Sequence, residues 1–467
     1  MRGWKIKVAP FQFQSVLQCL IRKQINEHAT AVIEGYIEED REEAYISLGQ
    51  SHTWVTISAE ALDGGSEDLF SGIITDLNIE VQGGLYKMKV SLMSGTFLMD
   101  HVEHTYTYQN AGMQYQELLK KITNQYEQGN FIMNLGNGKT LNDLVVQYQE
   151  TDWKFIKRMA SHFQACIIPA SNLEGVKYYF GLPTAGAVHQ LKSTEYSMHK
   201  DIKEYINKTA NKVSGLSEAN SMFYVVKSRE ILQICDKIQF KGKTLYVYQV
   251  ESYFEGEELV HSYILKDKAG FLMRHKNNEK MIGASLPANI IDVKGDTVKV
   301  CVKADGTQDS GTAKWFPYST VYSSADGTGW YCMPENGDEV RVYFPSEKEK
   351  HAYVISAVHL EGQNASARSN PDNKSLKSKY GKELLFTENS IKMTNNKGMS
   401  IEIVDEEGIS ITSDKAINIQ SEEGINIASL QKDLHIVAPD KIALTQGDTT
   451  LTMEDDIKLS GSQVKMI

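Results

Sequence analysis

SIEIVDEEGISITSDKAINIQSEEGINIASLQKDLHIVAPDKIALTQGDTTLTMEDDIKLSGSQVKM, residues 400–466, is the stretch on which the fold turns. Aliphatic pairs of the form apolar, any, apolar recur in it about every eight residues: Ile401/Ile403, Ile409/Ile411, Ile417/Ile419, Ile425/Ile427, Leu434/Ile436, Ile442/Leu444, Leu451/Met453, Ile457/Leu459 and Val464/Met466. A spacing of two puts both members of a pair on one face of a strand. Polar turn residues such as Asp405-Glu406-Glu407-Gly408 and Pro439-Asp440 separate the pairs, so each unit reads as a short strand and a corner. The expectation is a β-solenoid or β-prism.

Composition supports a narrow interior. Beyond Phe386 there is no Phe, Tyr, Trp, Cys or Arg, although aromatics make up 9% of the whole chain. Closely facing strands leave room for Ile, Leu, Val and Met but little for a phenol or indole ring. One chain of such short units makes only a few triangular coils and buries little by itself. Three intertwined chains would cover the same faces and pair every strand, so the sequence predicts a homotrimeric β-prism with the paired aliphatics inside. A single-chain β-helix is the alternative. A sandwich fits poorly, because nine consecutive units lack both a long crossover and an aromatic core residue.

Working back toward the N-terminus, 467 residues imply about three domains. Residues 281–360 read as a five-stranded OB-type barrel, with strands at 290–293, 297–302, 330–333, 339–344 and 353–358. Trp315, Phe316, Tyr318 and Tyr322 resemble a base-stacking platform, but few Lys or Arg accompany them, which favours core and inter-subunit packing. Residues 1–265 mix strands at 29–36, 43–48, 53–57, 70–80, 85–92, 177–180, 222–226 and 244–254 with helices at 113–126 and 152–163, the second capped by Thr151 or Asp152. Two small barrels with a helical insertion are expected there. The predicted domains are thus 1–265, 281–360, a linker at 361–380 and the spike at 381–467, in a mainly β protein with a few helices.

A net charge of −11 without basic clusters argues against nucleic acid or anionic lipid as the main partner. No apolar run approaches a membrane span and no signal-peptide core is evident, so synthesis and assembly in the cytoplasm are expected. Cys19, Cys166, Cys235, Cys301 and Cys332 are scattered and read as buried reduced thiols. His101 and His104 have metal-ligand spacing but lack a third ligand. His435 lies between inward-facing residues and should point to solvent, and no His-x-His pair marks a tip site for iron. Nucleophile elbows, Walker loops and His-Glu-x-x-His motifs are absent from the sequence, so neither catalytic residues nor cofactors are assigned.

Three segments carry a resemblance to a known family. ETDWKFIKRMASHF (150–163) resembles the helix motif of phage tail hub (late control protein D) and VgrG-type spike proteins, with Asp152, Trp153, Phe155, Ile156 and Arg158 at the matching positions. LFSGIITDLNIEVQGGLYKMKVSLMSGTFLMD (69–100) is similar to that family's first barrel, and WYCMPENGDEVRVYFPSEKEKHAYVISAVH (330–359) to its OB barrel. The resemblance implies a trimeric hub and spike that adapts a hexameric tail tube to a threefold membrane-piercing needle. It further implies baseplate partners, possible effector cargo, and a mechanical rather than enzymatic role. Only about 30 polar residues separate barrel from repeat, too few for an inserted lysozyme domain. Because the repeat runs on to Ile467, Val464, Met466 and Ile467 are expected to meet a PAAR-type tip protein. Two other readings remain at this stage: a tail-associated peptidoglycan hydrolase, and a carbohydrate-binding tail fibre, which would need exposed aromatics on the prism.

Overall fold

Strand Thr30–Ile37 alternates half-buried and fully buried residues along its length, as TAVIEGYI predicts for a strand with one wet face. The same alternation generates most of a 12-stranded, largely antiparallel sheet in the computed structural model, which describes residues 4–61, 65–255, 258–304, 310–358, 368–460 and 462–463. The chain divides into two compact units, residues 1–360 and 361–467.

Within the first unit the large sheet has two halves. Strands Trp4–Ala9, Ser15–Gln24, Thr30–Ile37, Trp54–Ala61, Ser66–Gln82 and Leu85–Met93 enclose one core, in which Ile21, Ile33, Ile57, Phe70 and Val90 are buried. Strands Tyr196–Lys200, Met222–Ser228, Lys237–Phe240, Lys243–Glu255 and Glu258–Lys266 enclose a second, around Val226, Ile238, Val247, Tyr263 and Leu265. Ser15–Gln24 pairs antiparallel with Lys243–Glu255, from Leu20 opposite Tyr253 to Gln24 opposite Gln249, so hydrogen bonding joins the halves into one sheet.

Residues 43–48, expected as a strand, form helix α1 (Glu42–Leu48) instead. Only Tyr45 of this segment is buried, while Ile46 and Leu48 are exposed. With no sheet partner to reward alternation, Glu42 and Glu43 in the first turn favour a helix through its dipole. The insertion between the halves holds α2 (Tyr115–Thr123) and α3 (Asp152–Ser161), both as expected, on a core of Leu118, Ile122, Trp153, Phe155, Ile156 and Tyr178. A further helix, α4 (Ile202–Ala210), follows edge strand Tyr196–Lys200 and was not legible in the sequence.

The OB-type domain is a five-stranded antiparallel sheet in the order Lys314–Pro317, Thr297–Val302, Ser285–Lys294, Glu339–Tyr343, Tyr353–Val358. A parallel bridge between Tyr318 and Val354 returns the first strand to the last and closes the sheet. Four strands match expectation, but the fifth is Lys314–Pro317 and not residues 330–333. Phe316 is buried in the core, whereas Trp330 and Tyr331 are exposed. The apolar run at 330–333 looked like a strand because periodicity does not show which aromatic the core accepts.

The second unit contains two antiparallel meanders, Lys374–Lys377, Glu383–Phe386, Ser390–Thr394, Ser400–Val404, Gly408–Thr412 and then Ile442–Gln446, Thr449–Met453, Ile457–Ser460. Among the described residues no strand occurs between them. Successive units run antiparallel, unlike the coil of a single-chain β-helix.

Candidate functional site: the hub helix and the aliphatic face

Helix α3 begins where the sequence places it. The Thr151 hydroxyl accepts a hydrogen bond from the Lys154 amide at 3.3 Å, capping an otherwise unsatisfied N–H, and Asp152 adds a carboxylate at the positive end of the helix dipole. Asp152 is itself buried, accepting from the Tyr126 hydroxyl at 2.7 Å and from the Gln147 side-chain amide at 2.8 Å. Trp153, Ile156 and Ala160, with Phe155 and Met159 beside them, form the apolar face that packs into the insertion core.

One turn on, Arg158 is only 3% exposed. Its Nε donates to both oxygens of Glu150 at 3.0 and 3.1 Å, and its Nη2 donates to Glu150 at 2.8 Å and to the Val146 carbonyl at 2.5 Å. Its Nη1 donates to Glu349 at 3.1 Å. Glu349 belongs to the charged loop between the last two barrel strands, so one guanidinium ties the hub helix, strand Val145–Thr151 and the OB barrel together. A planar cation with five donors suits three acceptors at fixed angles. Gln109 makes a second tie, donating to the Val300 carbonyl and accepting from the Val302 amide, both at 2.9 Å. Leu144 and Val146 complete the junction by entering the barrel core.

On the opposite side of α3, His28 packs at a tilt against Trp153, 4.8 Å between centroids, and hydrogen-bonds Thr96 at 2.9 Å and Asp100 at 3.4 Å. Burial pushes its pKa down to about 4 against the pull of Asp100, so the ring is neutral at pH 7. His162 and His261 are likewise held down by burial, to about 3 and about 4.

The second unit presents the other site. Register places Ile401 opposite Ile411 and Ile403 opposite Ile409 on one side, and opposite Met393 and Ile391 on the other. In the second meander Ile442 faces Met453, which faces Ile457, and Leu444 faces Leu451, whose partner in backbone register is residue Leu459. The eight-residue period thus becomes continuous aliphatic ladders on one face. That face is open: Ile409 is 72% exposed, and Ile401, Ile403, Ile411 and Leu444 are exposed as well. Ile417, Ile419, Ile425, Ile427, Leu434 and Ile436 lie in the strandless segment and are equally exposed. Val464, Met466 and Ile467 lie outside the described residues.

Two family models match the chain: the phage tail baseplate hub (GPD) over residues 45–163, and the type VI secretion system/phage-baseplate injector OB domain over residues 288–359. The first spans α3 and its Glu150–Arg158 pair, and the second spans the barrel that carries Glu349. The chain thus carries a phage tail baseplate hub domain followed by an injector OB domain. Among solved structures, its fold is similar to the E. coli c3393 protein, described as a component of the type VI secretion system with structural similarity to T4 bacteriophage tail proteins gp27 and gp5. That match has 14% identity and a TM-score of 0.54, over 76% of this chain and 100% of the other. The Francisella PdpA–VgrG complex, half-lidded, matches at 10% identity and a TM-score of 0.53, covering 88% of each chain. No curated protein matches.

The residues that sequence reading missed are Glu349 and Gln109. Neither carries a signal: Glu349 sits in SEKEKH, which reads as a solvated charge run, and Gln109 is a lone amide beside a Tyr-rich strand. Among the described residues no group of three His, Cys, Asp or Glu could hold a metal. His101 packs edge-on against Phe97, His104 stacks on Tyr106, and His435 is exposed as expected. Cys19, Cys166 and Cys235 are buried, but Cys301 is half-buried and Cys332 is exposed, a correction to the uniform expectation. No helix among the described residues is long and apolar enough to cross a membrane.

Proposed function

We propose that this hub and spike protein assembles as a homotrimer whose role in a contractile injection machine is mechanical. In this reading residues 1–265 form the hub, the two halves of its sheet act as tube-like barrels facing a hexameric tail tube, and baseplate components surround them. Residues 281–360 form the OB collar, 361–380 the linker and 381–467 the threefold spike. The paired aliphatics from Ile401 to Leu459 line the prism interior. Val464, Met466 and Ile467 meet a PAAR-type tip protein, and effector cargo rides on the assembly as the spike enters a target envelope.

The observation that carries the trimer is the aliphatic ladder: ordered antiparallel strands with confronting Ile and Leu side chains that the single chain leaves in water. Each such side chain gains about 1.5–3 kcal/mol on full burial, so a face this long drives association strongly. Two further copies supply identical faces and the same strand edges, whereas an aromatic ligand platform has no counterpart beyond Phe386. Native mass spectrometry of the full chain tests the reading. A trimer is expected, and a monomer with a folded C-terminal unit would refute it. A zymogram on peptidoglycan tests the mechanical role, with no clearing expected.

A further inference from the structure

The chain carries a net charge of −11, yet one cleft in the hub has the opposite sign. It encloses about 220 Å3 among α3, α4 and the segment that leads into the barrel. Its walls contribute four cations, Lys157, Lys208, Arg274 and Lys276, against one carboxylate, Glu204. That carboxylate is already engaged: Lys208 meets one oxygen at 2.7 Å and Lys266 the other at 2.7 Å. Lys208 also donates to the Gly270 carbonyl at 2.9 Å. Three positive groups therefore remain uncompensated by the pocket's own acid.

Lys157 is the telling member. It projects from α3 one residue before the buried Arg158, is half-buried, and has its ammonium 3.2 Å from a neutral acceptor, the Asn26 carbonyl. Burial and the charge of Lys276 both depress its pKa, with Glu27 acting in the opposite direction. An ammonium has three N–H donors, and one carbonyl uses one of them. Among the described residues Arg274 and Lys276 have no ion-pair partner, and the Lys276 backbone amide is fixed by the Ser161 hydroxyl at 2.9 Å, which holds that segment at the cleft. Mutually repelling cations gathered around one concave space are unfavourable until an anion enters.

We infer that this cleft is a binding site for a multivalent oxyanion of the phosphate class, held by Lys157, Arg274 and Lys276. Arg274 offers a two-pronged donor set to two oxygens of the anion, while the lysines contribute point charges. A volume of about 220 Å3 accommodates phosphate or pyrophosphate without strand or helix movement. Anion binding would brace α3 against α4, the element that flanks the sheet edge, and would stabilise the hub independently of how the C-terminal units associate.

The test is calorimetric titration of the full-length protein with inorganic phosphate and with pyrophosphate at fixed ionic strength in chloride, paralleled by melting curves. One saturable site per chain is expected, with pyrophosphate binding more tightly and raising the melting temperature by mass action. Arg274→Ala/Lys276→Ala removes two exposed, unpaired side chains and should leave the fold intact while weakening binding at least about tenfold. Lys276→Glu should abolish it. Absence of heat and of a melting shift at about 10 mM anion, or equal binding by the double variant and the wild type, overturns the assignment.

Discussion

Arg158→Met isolates the tie between hub and barrel. The substitution keeps much of the side-chain volume and removes a cation that is 3% exposed, leaving Glu150 at 11% and Glu349 at 17% side-chain exposure without their counter-charge. The Val146 carbonyl also loses its donor. Breaking a buried pair by deleting one partner costs about 3–5 kcal/mol, most of it the stranded charge. For a unit of this size that corresponds to a fall in melting temperature of roughly 6–10 °C, at about 2 °C per kcal/mol. Neutralising the stranded acid in Glu150→Gln/Arg158→Met should return about 1–3 kcal/mol, a coupling that a purely steric effect would not produce. Tryptophan emission is the appropriate readout, because all five tryptophans (Trp4, Trp54, Trp153, Trp315 and Trp330) precede the repeat region. Protein concentration must be held constant, since association would itself shift the curve. An Arg158→Met protein within about 1 kcal/mol of wild type, or a double variant no better than the single, would refute the argument.

Three further outcomes follow from the same geometry. Gln109→Ala leaves the Val300 carbonyl and the Val302 amide unpaired inside the junction and should cost about 2–6 kcal/mol by urea unfolding, at about 1–3 kcal/mol per orphaned group. Ile409→Asn/Ile411→Asn places amides on the open aliphatic face and should shift sedimentation from trimer to monomer without changing tryptophan emission; a stable trimer would count against the prism. Acid should weaken the hub between pH 6.5 and about 4, because His28 and His261 are neutral when folded, with pKa values near 4, and protonate near 6.5 when unfolded. Their contribution is complete above pH 6.5 and falls with pH by up to about 1.4 kcal/mol per unit for each histidine until the folded value is reached. His261→Gln should flatten that slope in a melting series, and an unchanged slope would exclude His261 as a contributor.

Short-range pattern explains what was readable in the hub and in the barrel. Alternation marked Thr30–Ile37 and Thr297–Val302, and a Thr-Asp cap before an apolar period of 3.6 marked α3, because one buried face leaves its period in the chain. The same reasoning misassigned residues 43–48 and 330–333, where alternation occurs without a sheet partner. Helix α4 escaped notice because none of its residues is buried, so its apolar residues Ile202 and Ile206 serve no core.

The amino-acid sequence alone determined the eight-residue period, the exclusion of rings beyond Phe386 and the order of modules, since each depends only on spacing along the backbone. Tertiary structure decided which charges meet. Glu150 and Arg158 are eight residues apart, but Glu349 reaches the same guanidinium across 191 positions, and Gln109 reaches Val300 across the same separation. It likewise joined the two halves of the hub through the pairing of Leu20 with Tyr253. Contacts of that range are set by how whole elements pack, and an isolated Glu in a polar loop bears no mark of the buried cation it will neutralise.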